Sequence, residues 1–142
     1  MDTPQMNSKE INIEFVNKAT TYLIGDRDKF FQMVLNLVEN AIKYSNNKTN
    51  IYIRYYDVKE YVYIEVEDNG VGIPKEDLPR IFERFYRVDK SRAKGGTGLG
   101  LAIVKHIVKM FNGEIFVKST LNVGTKFTIK LRKSIKFNDF IC

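Results

Sequence analysis

The stretch IYIRYYDVKEYVYIEVEDNGVGI, Ile51 to Ile73, decides the fold. Its first two segments, IYIRYYDV (Ile51–Val58) and YVYIEVED (Tyr61–Asp68), are rich in β-branched and aromatic residues and are separated only by Lys59 and Glu60. Such residues suit the pleated, half-buried surface of a sheet, and a gap this short makes the pair a β-hairpin. The second strand ends in Asp68 and runs into DNGVGI, where glycines at 70 and 72 let a backbone turn sharply and come close to a ligand. Asp-Asn-Gly is also ordinary turn chemistry, so the segment alone does not choose between a turn and a site.

Upstream, Phe30, Val34, Leu37, Val38 and Ala41 recur at helical spacing between Asp28 and about Ser45, with Asp26 or Asp28 available as the N-cap. Before them INIEFVN (Ile11–Asn17) alternates apolar and polar residues, the period of a half-buried strand. Downstream of Pro74 a short helical turn is expected. IFERFYRVDKSRAKGG then lacks a clean period and reads as a loop. TGLGLAIVKHIVKMFNG returns to helical spacing and stops at Asn112 and Gly113, and the strands GEIFVKS and TKFTIKLR close the chain around a turn with Asn122 and Gly124. The order strand, helix, hairpin, loop, helix, hairpin predicts one mixed or antiparallel sheet with helices on one face and its other face partly exposed.

At 142 residues, 44% hydrophobic and 28% charged, the chain has enough length for one core but not two. Residues 1–10 read as a polar segment, 11–133 as the domain and 134–142 as a frayed tail. No run of about 18 apolar residues and no secretory leader is visible, and the lone Cys142 excludes an intrachain disulfide. A soluble domain in a reducing, cytoplasmic setting is the expectation. The net charge of +6 is compatible with nucleic acid, acidic partners or a polyanionic ligand, and does not choose among them.

Three groups of residues carry chemistry. Asn36, Asn40, Lys43 and Tyr44 fall within an arc of roughly 100° on the first helix, a polar stripe facing either a cavity or solvent. Asp68 can accept a hydrogen bond from an exocyclic amine. GGTGLGLAIV, Gly95 to Val104, places glycines 95, 96, 98 and 100 at the start of a helix, whose free amides and dipole attract phosphate. The string is neither GxxxxGK[ST] nor a dinucleotide fingerprint directly after a strand.

Taken together, NLVENAIKYS, DNGVGI, FERFYRVDKSR, GGTGLGLAIV and the late Gly124-Thr125 resemble the N, G1, F, G2 and G3 boxes of sensor histidine kinases, in order, over Ile11 to Leu131. The resemblance implies the Bergerat fold shared with gyrase, mismatch-repair ATPases and a heat-shock chaperone. That fold is an α+β two-layer sandwich with a mixed, mostly antiparallel five-stranded sheet and about three helices on one face. It further implies Mg-ATP as ligand, with Asn40, assisted by Asn36, on Mg²⁺ through neutral amide oxygens that suit a hard cation. Lys43 would contact phosphate and Tyr44 would lie along the adenine. Asp68 would accept from the adenine amino group, with Gly70, Gly72, Ile73, Leu99 and Thr125 closing the pocket. Gly96, Thr97, Gly98 and Gly100 would cradle phosphate under a mobile basic lid. Arg87 would reach the terminal phosphates, and Phe82 and Phe85 would anchor that lid. Asn36, Lys43 and Arg87 are thus the residues implied to act on the transferred group.

The same resemblance implies what lies elsewhere. The phosphoacceptor histidine of the family sits on a separate dimerising helical hairpin, whereas His106, the one histidine here, lies within the second helix pattern and reads as structural or surface. This chain would be the catalytic, monomeric part of a longer, homodimeric and membrane-anchored kinase that serves a response regulator, with no nucleic-acid or membrane contact of its own. Hydrolytic members and serine-kinase anti-sigma factors carry a glutamate base where this chain has Asn36, and without it water or serine is poorly activated. A noncatalytic nucleotide-binding module, of the anti-sigma type, is the alternative.

Overall fold

The computed structural model describes residues 10–19, 25–46, 48–88 and 98–133. Strand β1 (Glu10–Lys18) leads to helix α1 (Arg27–Lys43), then to β2 (Lys48–Val58) and β3 (Tyr61–Asp68). A 3₁₀ turn (Leu78–Arg80), helix α2 (Gly100–Met110), β4 (Glu114–Thr120) and β5 (Gly124–Arg132) follow. The five strands form one sheet in the order β1-β2-β3-β5-β4, parallel between β1 and β2 and antiparallel elsewhere. The α+β sandwich expected from the sequence is the fold, with both helices and the 3₁₀ turn packed on one side of the sheet.

Local chemistry sets each boundary. Asp26 caps α1 by accepting from the backbone N–H groups of Asp28 and Lys29 at 2.9 and 3.1 Å. At the end of α2, Asn112 takes a left-handed φ of 56° while its N–H bonds Lys109 and that of Gly113 bonds Val108. That pair of bonds is the Schellman arrangement, which satisfies carbonyls the helix leaves open. The β2–β3 turn puts Lys59 at φ 56°, as a tight hairpin connection requires.

Period-2 alternation divides the sheet. Ile51 and Ile53, Val62, Ile64 and Val66, and Phe127, Ile129 and Leu131 all point to the helical side, where they meet Met33, Leu37, Val38 and Ile42 of α1 and Val104, Ile107 and Val108 of α2. Burying each large side chain is worth about 1.5–3 kcal/mol, so this layer holds the two helices in fixed register on the strands. The opposite face is a polar and aromatic ladder. On it Arg54 bonds Glu65 and Glu67 at 3.1 and 2.8 Å, Tyr56 stacks on Tyr63, and Lys130 sits 4.1 Å from the Tyr61 ring centroid. Such pairs let a sheet face water on one side. Among the described residues no helix is long and apolar enough to cross a membrane.

Candidate functional site

The side of α1 turned away from the core carries the polar stripe. Asn36, Asn40, Lys43 and Tyr44 are half-buried and line one cavity of about 320 Å³, the size of a small-ligand site. The Asn36 side-chain amide donates to the carbonyl of Gly100 at 3.3 Å, which ties α1 to the first residue of α2 and leaves the Asn36 amide oxygen as its other polar end. The Lys43 ammonium lies 5.2 Å from the Tyr44 ring centroid. Where α1 stops, the Tyr44 carbonyl accepts from Val71 at 3.1 Å, joining the helix end to the turn after β3.

That turn forms the far end of the cavity. Asp68 closes β3 with only 8% of its surface exposed, and its carboxylate accepts N–H bonds from Gly70, at 2.8 Å, and from Thr125. Burial pushes its pKa up to about 6; the two backbone donors oppose this and the Glu67 charge adds to it. Gly72 has φ +76°, and a Cβ there would lie 2.3 Å from the Thr120 carbonyl oxygen, so this turn is seated directly on the end of β4. Thr125, Ile73 and Gly72 line the cavity; Gly70 stands behind its wall, bonded to Asp68 and pressed on the Tyr44 carbonyl.

The third side comes from the segment after the 3₁₀ turn. Phe82 packs edge-on against Phe127 of the core, as the expected anchor. Phe85 is not an anchor: it takes φ +65° and is 68% exposed, because its backbone N–H is committed to the Gly98 carbonyl at 2.9 Å and its ring is turned outward. Tyr86 donates to Asp77 and lies under the Arg80 guanidinium, 4.5 Å from the ring centroid. Tyr86, Arg87 and Val88 line the cavity with Gly98 and Gly100. Leu99 precedes α2 and does not line the cavity; Leu101, two residues on, supplies apolar wall together with Ile73 and Ile81. Gly96 and Thr97, like Lys90, Arg92 and Lys94 of the basic loop, lie outside the described residues. His106 is exposed on α2.

Five lining residues, Glu39, Ile81, Tyr86, Val88 and Leu101, were not singled out by the sequence pattern. Glu39 sits about 100° around α1 from Asn40, at the edge of the stripe, and reaches the cavity rim. Ile81 and Leu101 carry only an apolar signal, which a core position gives equally. Tyr86 and Val88 flank Arg87, and that adjacency was the available cue.

Residues 25–135 match the model of the histidine kinase-, DNA gyrase B-, and HSP90-like ATPase family. The chain is similar to the sensor histidine kinase WalK of Bacillus subtilis, with 41% identity over 131 residues that cover 87% of this chain and 21% of that protein. Its fold matches the mycobacterial sensor histidine kinase MprB with a TM-score of 0.80 and 30% identity, over 93% of this chain and 90% of that one. It also matches full-length ShkA in complex with AMPPNP, with a TM-score of 0.81 and 27% identity, over 94% of this chain and 28% of that one. The chain therefore spans about a fifth of the length of WalK. With the family model covering residues 25–135 and sensor kinases among the relatives, the chain belongs to the histidine kinase-, DNA gyrase B- and HSP90-like ATPases, as an ATP-binding catalytic domain of the sensor histidine kinase type.

Proposed function

We propose that residues 11–133 form a half-site that binds Mg-ATP and presents its γ-phosphoryl group to a histidine on a separate helical hairpin of a longer, dimeric sensor kinase, cytoplasmic in this portion and answering to a response regulator. The observation that carries this reading is the convergence of Asn36, Asn40 and Lys43 from α1, Asp68 and Thr125 from the sheet, and Arg87 from the segment after the 3₁₀ turn around one cavity. Asp68 at the buried end takes the adenine amino group, and Tyr44 and Ile73 flank the ring. At the other end Lys43 and Arg87 place two cations against the phosphates, under the glycines that open α2.

The donor set fits a magnesium ion shared with the triphosphate. Asn36 and Asn40 offer neutral amide oxygens, and the Asn36 nitrogen already faces Gly100. Bound there, the ion would neutralise charge on the transferring phosphoryl group. The chain's own residues do the rest by orientation: they hold the nucleotide in line and stabilise charge without a base at position 36. The relatives above are named as kinases, which gives the noncatalytic alternative no support.

The test mixes the domain with a histidine-bearing hairpin from a sensor kinase and γ-labelled ATP. Label should appear on the hairpin histidine, and Arg87→Ala should slow its appearance about 100-fold while leaving ADP binding within about twofold. ATP binding without transfer to any hairpin would overturn the transfer reading.

A further inference from the structure

Ser119, on β4, does not line the cavity, yet its hydroxyl touches two pieces of chain that carry lining residues at the end that holds Asp68. Its Oγ accepts the Ile73 backbone N–H at 2.7 Å, donates to the Gly124 carbonyl at 3.1 Å, and meets the Thr125 hydroxyl at 2.8 Å. A serine hydroxyl has one proton and two lone pairs. Accepting from Ile73 and Thr125 while donating to Gly124 uses all three. The group is therefore saturated as a brace and has nothing left to offer a ligand.

Its three partners belong to two different pieces of chain. Ile73 ends the turn that follows β3, and that turn is further seated on β4 through Gly72 against Thr120 and through the Asn122 N–H bond to Val71 at 2.7 Å. Gly124 and Thr125 open β5, where a Cβ on Gly124 would lie 2.1 Å from the Asp68 carbonyl oxygen. Thr125 in turn gives its backbone N–H to the Asp68 carboxylate. Moving Ser119 thus moves two adjoining pieces of the wall and the aim of Asp68 together.

We infer that Ser119 is a positioning residue for the adenine end of the cavity, its hydroxyl setting the separation between the Gly72–Ile73 turn and the Gly124–Thr125 strand start. This rests on the reading of that end as the adenine pocket. A flat ring laid against Ile73 with its amino group on Asp68 is sensitive to where these two pieces of wall stand, because a radial gap of about 0.5–1 Å forfeits a quarter to a half of each dispersion contact. The phosphate end is lined by α1, Arg87 and the start of α2, and among the described residues none of these bonds Ser119.

The experiment compares ATP with inorganic tripolyphosphate, each titrated with Mg²⁺ into the folded domain by calorimetry. Ser119→Ala should weaken ATP about tenfold and leave tripolyphosphate within about twofold, and Ser119→Thr, which keeps the hydroxyl, should return ATP binding to within about threefold of the original. Should the alanine variant fail to fold, Ser119→Cys, of similar shape but with a weak donor and acceptor, is expected to show the same selective loss. Equal weakening of both ligands, in step with a fall in Tm, or unchanged ATP affinity, would overturn the inference. Asp68→Asn and Thr125→Val separate it from the reading beneath it: if neither weakens ATP, the adenine pocket itself is misplaced; if both do and Ser119→Ala does not, only the role of Ser119 falls.

Discussion

Asp68 is a carboxylate held almost entirely out of water, which places its titration near pH 6. Its unfolded value lies near 3.8, as for an ordinary aspartate, so the folded chain binds this proton more tightly than the unfolded one. Ionising Asp68 therefore destabilises the empty domain as pH rises from about 4 to 6, by up to roughly 3 kcal/mol. Urea denaturation across that range should show this step in the original chain and a flatter profile in Asp68→Asn. Nucleotide binding runs the other way. An ionised Asp68 accepts from an exocyclic amine, so ATP affinity should fall as pH drops through about 6. Asp68→Asn should bind ATP more weakly at pH 7 and lose that part of the pH dependence, leaving the part due to the nucleotide's own phosphates. Calorimetry at pH 5.5 and 7.5 on both proteins decides it.

The glycine turn after β3 holds a wall of the site, whereas the capped start of α1 contributes no lining residue to it. A Cβ at Gly72 would collide with the Thr120 carbonyl and would need a left-handed φ, so Gly72→Ala should cost about 1–3 kcal/mol of stability and weaken ATP binding. Asp26→Ala removes two capping bonds far from the cavity and should cost about 1 kcal/mol with ATP affinity unchanged. Denaturant midpoints with calorimetry separate the two outcomes. These elements also mark what was readable beforehand. Period and caps located every strand and helix described, because α1, α2 and the strands all bury a regular face. Motif order brought Asn40, Asp68 and Arg87 to one place without any distance in hand. The outward turn of Phe85 was not readable, since an aromatic residue after Phe82 looks like a second anchor until the Phe85–Gly98 backbone bond is seen. Ser119 was equally silent, being a small polar residue in an ordinary alternating strand whose role depends on β3 and β5 meeting beside it.

At the scale of the whole domain, the helices and the sheet share one core, so the site cannot be loosened without loosening everything else. Leu37, fully buried and one residue beyond Asn36, connects the two. Leu37→Ala should cost about 2–5 kcal/mol, enough to leave a domain of this size marginal. Saturating Mg-ATP, at about 100 times its Kd, should return about 2.7 kcal/mol by binding only the folded form. A thermal melt of this variant with and without nucleotide should show that rescue, whereas an identical Tm in both conditions would count against a nucleotide site in this core. The chain has eight tyrosines and no tryptophan, and two of the tyrosines, Tyr44 and Tyr86, stand in the cavity wall. The protein's own tyrosine emission therefore comes partly from the cavity wall, and a single Tyr44→Trp change would give the site an optical voice separate from the remaining seven tyrosines.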